Sequence, residues 1–255
     1  MFVSTEFIYD GVYSKDMGVD LVSVTNGATK TLFGYNRNID KEMIGDIVFT
    51  PKGYSYSPLT FTITIAKINP DDLDWDFKTK TELIRWLYQE DYKPFISLDN
   101  PEVIYYCKAV GEGERYDTGH QQGYATIKME CNSPYAYTPT YLYEWDKEYE
   151  TNIIEVNNLS NVTTYYYPEI EITFNSTEVS IVNLSNAGQI FKLENIDIGE
   201  TIYVNNKMKR ILSSNEKNRL SNFNRGWLEL VQGANLLQVE GDVQIVRKST
   251  YPIAV

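Results

Sequence analysis

Leu59-Thr60-Phe61-Thr62-Ile63-Thr64-Ile65 alternates without a slip: Leu59, Phe61, Ile63 and Ile65 fall on one side and three threonines on the other. A period of two sends successive side chains to opposite faces, so this stretch is predicted to be a half-buried antiparallel strand. Short runs of the same kind recur in both directions. Upstream, Phe7-Ile8-Tyr9-Asp10-Gly11-Val12-Tyr13 sets an Asp-Gly pair between apolar residues. That pair permits positive φ at a two-residue turn and predicts a hairpin. Val19–Thr25 reads as a further strand. Downstream, Phe95–Leu98, Val103–Val110 and Tyr124–Cys131 read as strands, and one clear helix precedes them. In that helix Thr79 and Glu82 have the spacing of a capping box, and Leu83, Trp86 and Leu87, with Ile84 and Tyr88, form an apolar stripe. Pro94 ends any continuation.

Residues 132–151 change character. Asn132-Ser133-Pro134 and Pro139 punctuate a Tyr-rich, weakly periodic connector, which places a domain boundary near Thr138. The expected domains are 1–138 and 139–255. Beyond the boundary the pattern is almost wholly β. Glu169–Phe174, Val179–Asn183, Gln189–Leu193, Thr201–Val204, Lys207–Leu212, Trp227–Val231, Asn235–Val239 and Val243–Arg247 read as short strands. Asn, Ser and Gly turns separate them, and Asn205-Asn206 reads as a hairpin turn. This spacing predicts a β-sandwich of jelly-roll type. The fold class is therefore mainly β with one helix, a mixed-β amino-terminal domain followed by a sandwich.

Twenty-three basic residues stand against 35 acidic ones, a formal charge of −12 distributed over both halves. Without a basic patch the chain is not expected to hold nucleic acid, because phosphate neutralisation requires clustered Lys and Arg. The amino terminus has neither the basic segment nor the apolar run of a signal peptide, and no run is long enough to span a membrane. Soluble synthesis in the cytoplasm is expected. Cys107 and Cys131 lie in predicted strands without CxxC spacing and read as buried reduced thiols rather than a disulfide or metal site. The sequons at Asn158, Asn161, Asn175 and Asn183 then read as turn chemistry rather than glycosylation sites.

The search for chemistry yields little. Asp72-Leu73-Asp74-Trp75-Asp76 starts like a calcium loop, but Phe77 and Leu83 stand where that loop needs Gly and a closing Glu. The acids more simply lead into a helix amino terminus, where negative charge is favoured. His120 is the single histidine, in a polar loop with no nucleophile motif beside it. No phosphate-binding Gly-rich loop is present. Neither cofactor nor metal is expected, and the chain reads as non-enzymatic. Tyr165-Tyr166-Tyr167 and Trp145 weigh differently. Trp145 and Tyr166 are candidate glycan contacts if the second domain is a carbohydrate-binding module for a host cell-wall glycan. Against this, consecutive tyrosines in a strand simply point to opposite faces. A third reading, an envelope hydrolase, has no motif behind it.

Three stretches together resemble the distal tail protein (Dit) family of long-tailed phages infecting Gram-positive bacteria. The opening Phe7-Ile8-Tyr9-Asp10-Gly11 is followed by Ser14-Lys15-Asp16-Met17-Gly18-Val19. The central block carries Leu59–Ile65, Arg85-Trp86-Leu87, Tyr92-Lys93-Pro94-Phe95, Tyr105-Tyr106-Cys107 and Cys131-Asn132-Ser133-Pro134-Tyr135-Ala136. The distal half carries Tyr167-Pro168-Glu169-Ile170-Glu171-Ile172, Gly199-Glu200-Thr201-Ile202-Tyr203-Val204 and Gly233-Ala234-Asn235. The resemblance implies that the first domain closes into a homohexameric ring, with the sandwich carried outside it. It further implies a structural hub in the virion tail tip that joins the tail tube to the baseplate. The expected partners are copies of itself, tail-tube and tail-tip proteins, the tape measure and the receptor-binding apparatus. DNA would pass without specific binding and without a membrane contact. Asn26–Asn38 has no periodicity and isolated aromatic residues. It reads either as an ordinary surface loop or as an arm laid on the neighbouring subunit, with Phe33, Tyr35 and Ile39 as subunit contacts.

Overall fold

A computed structural model describes residues 4–23, 34, 36–44, 48–118, 122–146, 152–162 and 165–255. The chain forms two compact units. Met1–Thr138 with Ile253–Val255 makes the first, and Pro139–Pro252 the second.

The first unit is organised on one sheet. Its strand order is Val12–Tyr13, Phe7–Tyr9, Lys93–Ser97, Ile104–Ala109, Gly123–Cys131, Thr60–Ala66, Asp20–Leu21. The alternating strand Thr60–Ala66 lies next to the edge strand Asp20–Leu21, paired antiparallel on its other side with Gly123–Cys131 over seven residues from Thr60↔Glu130 to Ala66↔Tyr124. Phe61, Ile63 and Ile65 are buried as their alternation requires, while Thr60 and Thr62 are exposed. Thr64 is covered as well, its hydroxyl 3.3 Å from that of Thr126. Asp10 and Gly11 turn the opening hairpin with φ of 51° and 77°, the left-handed values such a turn needs.

The helix Phe77–Leu87 buries Leu83, Trp86 and Leu87. Its cap corrects the expectation from sequence. Asp76, not Thr79, is the N-cap, and its carboxylate accepts from the Thr79 backbone N–H at 2.7 Å. That bond holds the Asp76 carboxyl below the usual carboxylate range. Trp86 fixes the helix to the sheet, stacking on Phe7 at 5.4 Å and donating its indole N–H to the Tyr9 carbonyl at 2.9 Å. Phe7 stacks in turn on Phe95. Each such ring contributes about 1.5–3 kcal/mol of burial. Val19–Thr25 forms a strand only at Asp20–Leu21, and part of it lies outside the described residues.

The second unit is a sandwich. Tyr141–Asp146, Val243–Ser249, Glu169–Phe174, Thr201–Asn205 and Arg210–Ser213 make one sheet. Ile153–Asn158, Gly233–Glu240, Val179–Asn183 and Gln189–Leu193 make the other. Inward residues of the first sheet (Ile170, Ile172, Phe174, Ile202, Val204, Ile245) share one core with those of the second (Val156, Val179, Ile181, Phe191, Leu237, Val239).

Trp227–Val231 is not a strand, although its apolar run predicts one. Only Leu230 makes a bridge, to Tyr166. Elsewhere side chains serve the backbone. Asn206 accepts from the Leu228 N–H at 2.8 Å, Gln189 donates to the Trp227 carbonyl, and Asn183 donates to the Glu229 carbonyl. Asn235 both accepts from and donates to Val231. Among the sequon asparagines, Asn158 and Asn183 are thus buried structural groups. The hairpin after Thr201–Asn205 turns later than Asn205-Asn206, with Asn205 pairing Arg210 and its side chain accepting from Met208 N–H.

Candidate assembly surface

Among the described residues Arg37–Ile44 and Val48–Tyr56 pair only with each other, as a two-stranded antiparallel sheet apart from the main one. An isolated hairpin is marginal in water unless one face is covered. Here Ile39, Met43, Tyr54 and Tyr56 are exposed, Ile39 by 40% and Tyr54 by 54%. Local contacts hold the hairpin together: Arg37 lies over the Tyr54 ring at 5.3 Å, and Lys52 pairs with Glu42 at 2.9 Å. At its base Tyr56 approaches Tyr135, with ring centroids 6.3 Å apart, and Ser57 N–H donates to the Asn36 carbonyl. The pairing slips between Asp40 and Lys41, where Gly53 and then Pro51 are the partners. This bulge and the proline interrupt the edge that another strand would join.

The same unit contains a cleft of about 590 Å³ beside the helix, lined by Ile65, Trp75, Leu83, Leu87, Ala125 and Ile127 with charged groups at its rim. Trp75 is almost fully buried, yet its indole N–H has no hydrogen-bond partner among the described residues, and Arg115 stands 5.7 Å from the ring centre. Phe77 (83% exposed) and Ile84 extend apolar surface along the outer side of the helix.

Of the expected subunit contacts, Ile39 lies on the hairpin, while Phe33 and Tyr35 fall outside the described residues, as does His120. Sequence reading missed the hairpin itself. The Gly45-Asp46 pair between Arg37–Ile44 and Val48–Tyr56 is the signal that would have suggested it. The candidate glycan contacts Trp145 and Tyr166 both lie in the second unit. Trp145 is 2% exposed within the sandwich core and offers no ring face to a sugar. Tyr166 is partly buried against Tyr251, its hydroxyl accepting from Thr250 N–H at 2.9 Å.

The acids of the 72–76 run are spent locally. Lys67 pairs with Asp72 and donates to the Asp74 carbonyl, Gln122 donates to the Asp74 carboxylate, and Asp76 caps the helix. Among the described residues no cluster of three or more His, Cys, Asp or Glu is placed to hold a metal ion. Nor is any helix there long and apolar enough to cross a membrane.

A β unit that carries the helix Phe77–Leu87 and an exposed hairpin, followed by a β-sandwich, defines the architecture. The chain belongs to a phage tail protein family. The family's "phage tail protein N-terminal domain" matches residues 2–133, and its "phage tail C-terminal domain" matches residues 135–248. It is similar to the SPbeta prophage-derived protein YomH of Bacillus subtilis (strain 168), with 22% identity over 97% of each chain. Its fold is that of the Dit protein of phage SPP1, described as a paradigm of the hub adsorption apparatus in phages infecting Gram-positive bacteria. The TM-score is 0.69 at 16% identity, over 96% of this chain and 98% of that one. A chain of the phage P2 baseplate in its activated conformation aligns over 95% and 97% of the two chains, with a TM-score of 0.45 and 8% identity. By family the protein is thus a phage tail protein, and by fold it resembles a Dit protein.

Proposed function

We propose that six copies of this chain close into a ring at the tail tip, as a structural hub that joins the tail tube to the baseplate and lets DNA pass. The observation that carries this reading is the hairpin Arg37–Tyr56, on which Ile39, Met43, Tyr54 and Tyr56 are exposed. In a ring each contact is heterologous, so one molecule must carry both a projecting element and a different surface to receive it. The hairpin supplies the first. The apolar cleft beside the helix, with Trp75 in its wall, supplies a surface of the second kind. The net charge of −12 suits a channel through which phosphates slide without adhering. Tail-tube proteins, the tape measure and the receptor-binding apparatus are the partners this position brings.

Light scattering on the full chain, and on a variant with 37–56 replaced by a short Gly-Ser linker, tests the proposal. A mass near six chains for the first, and a folded monomer for the second, are expected. A full chain that stays monomeric at every concentration, or a hairpin-less chain that still forms the ring, overturns it.

A further inference from the structure

Cys107 and Cys131 stand directly opposite each other on the antiparallel strands Ile104–Ala109 and Gly123–Cys131. The flanking hydrogen bonds fix which kind of pair they make. Asn132 N–H donates to the Tyr106 carbonyl at 3.0 Å, and Val110 N–H donates to the Lys128 carbonyl at 2.9 Å. Hydrogen-bonded and non-hydrogen-bonded pairs alternate along an antiparallel ladder, so 106/132, 108/130 and 110/128 are of the first kind. Cys107/Cys131 is therefore of the second, where Cα atoms come within about 4.5 Å and side chains are closest. Both side chains turn into the core, at 0% and 1% exposure, and are free thiols. Hydrogen bonding to Cys131, followed by burial, pushes the Cys107 thiol well above its ordinary range. A disulfide requires Cα atoms about 4.4–6.8 Å apart, so this pair meets the backbone condition at its short end.

We infer that Cys107 and Cys131 are a latent cross-strand disulfide that a small-molecule disulfide, such as glutathione disulfide, closes during folding or transient opening of the sheet. One thiol loses its proton and attacks a sulfur of the reagent, giving a mixed disulfide and one released thiolate. The second cysteine, likewise deprotonated, attacks the protein sulfur of that mixed disulfide and releases the other thiolate, which takes up a proton. Two protein thiols are oxidised and one reagent disulfide is reduced. In the closed sheet the reaction is slow, because the thiols are buried and the thiolate is disfavoured. The chain would remain a dithiol in a reducing cytoplasm and acquire the bond in oxidising surroundings. The bond would tie the two strands through a loop of about 24 residues, raising the folding equilibrium constant on the order of a hundredfold. This inference stands apart from the ring reading, since it needs only one chain.

The test unfolds the full chain in urea and refolds it with either oxidised or reduced glutathione. Free thiols are then counted in denaturant, and the peptides are mapped by mass spectrometry. Oxidised glutathione is expected to leave no free thiol, a peptide joining Cys107 to Cys131, an unchanged circular dichroism spectrum and a raised urea midpoint, all reversed by dithiothreitol. Cys131→Ser should lose the oxidant-dependent shift. If that variant does not fold, the thiol count and peptide map of the native sequence decide alone. Two free thiols, glutathione caps on separate cysteines, or a bond gained only with loss of the native spectrum would overturn the inference.

Discussion

Replacing Arg219 by Met should destabilise the sandwich, and the cost should shrink on acidification. The Glu200 side chain is 0% exposed and that of Arg219 9%, so solvent screens the pair little. Arg219 grips both carboxylate oxygens, through Nε at 2.9 Å and through Nη2, and also donates to the Asn195 carbonyl and to Asp197. Removing one member of a buried pair strands the other, at a cost of about 3–5 kcal/mol. Ser213 Oγ–H and the Asp197 N–H still donate to Glu200, which argues for the low end, about 3 kcal/mol. With a urea slope of about 2 kcal/mol/M, the midpoint should fall by about 1.5 M at pH 7. The pH dependence has a definite sign. Hydrogen bonding from Arg219 holds the Glu200 carboxyl below its ordinary value, against the opposing effect of burial. Its contribution is therefore present above the unfolded-state pKa of about 4.3 and is lost as pH falls through the folded value. Without Arg219 the largest influence lowering the carboxyl is gone and it moves upward, so acid neutralises the stranded charge and narrows the gap to the native protein. Urea unfolding from pH 7 to pH 4, with hydrogen exchange over residues 197–219, reads both effects. A cost below about 1 kcal/mol at pH 7, or one that grows with acid, would refute the reasoning. Lys217→Ala is the control: both it and its partner Asp197 are about half exposed, and the urea midpoint should scarcely move.

Asn206→Leu should cost about 3 kcal/mol, because it leaves the Leu228 N–H and the Pro168 carbonyl without partners in a buried place. Amide exchange at Leu228 should accelerate more than at Ile172 in the adjoining sheet. Trp86→Ala should cost about 3–5 kcal/mol, by removing a ring stacked on Phe7 and the bond to the Tyr9 carbonyl. The loss should appear in hydrogen exchange of Phe7–Tyr9 and leave Glu169–Phe174 unchanged.

Where one face of an element is buried and the other wet, the sequence was legible. Glu169-Ile170-Glu171-Ile172-Thr173-Phe174 was read to its boundaries because its alternation is the burial pattern itself. The helix was equally plain, but its cap was not, since Asp76 and Thr79 both stand in capping positions and only geometry chooses between them. Ile153–Asn158 buries every second residue yet passed unnoticed, because its last buried residue is an asparagine that donates to the Leu230 and Val231 carbonyls. Trp227–Val231 failed in the opposite sense. Its composition suits a strand, but most of its backbone partners are side chains up to 73 residues away, in Asn158, Asn183 and elsewhere. The strand Tyr141–Asp146, which carries Trp145 into the core, is hidden in sequence by its Tyr-rich, weakly periodic neighbourhood. The cross-strand relation of Cys107 to Cys131 was invisible in principle, since register belongs to pairing and not to either strand alone.

The hairpin was missed for a reason that bears on its proposed use. A strand pair exposed over nearly all of its described side chains shows no period of two, so sequence reading sees irregular text. Yet an exposed hairpin is a hazard, because its free edges invite endless strand addition. Here Pro51 lacks the N–H that such addition requires, the register slips between Asp40 and Lys41, and Lys41 and Lys52 add charge at the same place. Addition by the edge is thereby discouraged, whereas contact through the side chains of Ile39, Met43 and Tyr54 is left open. In the ring reading this distinction matters. Edge-to-edge growth has no natural end and yields fibres, but a knob entering a cleft at a fixed rotation closes after a set number of copies.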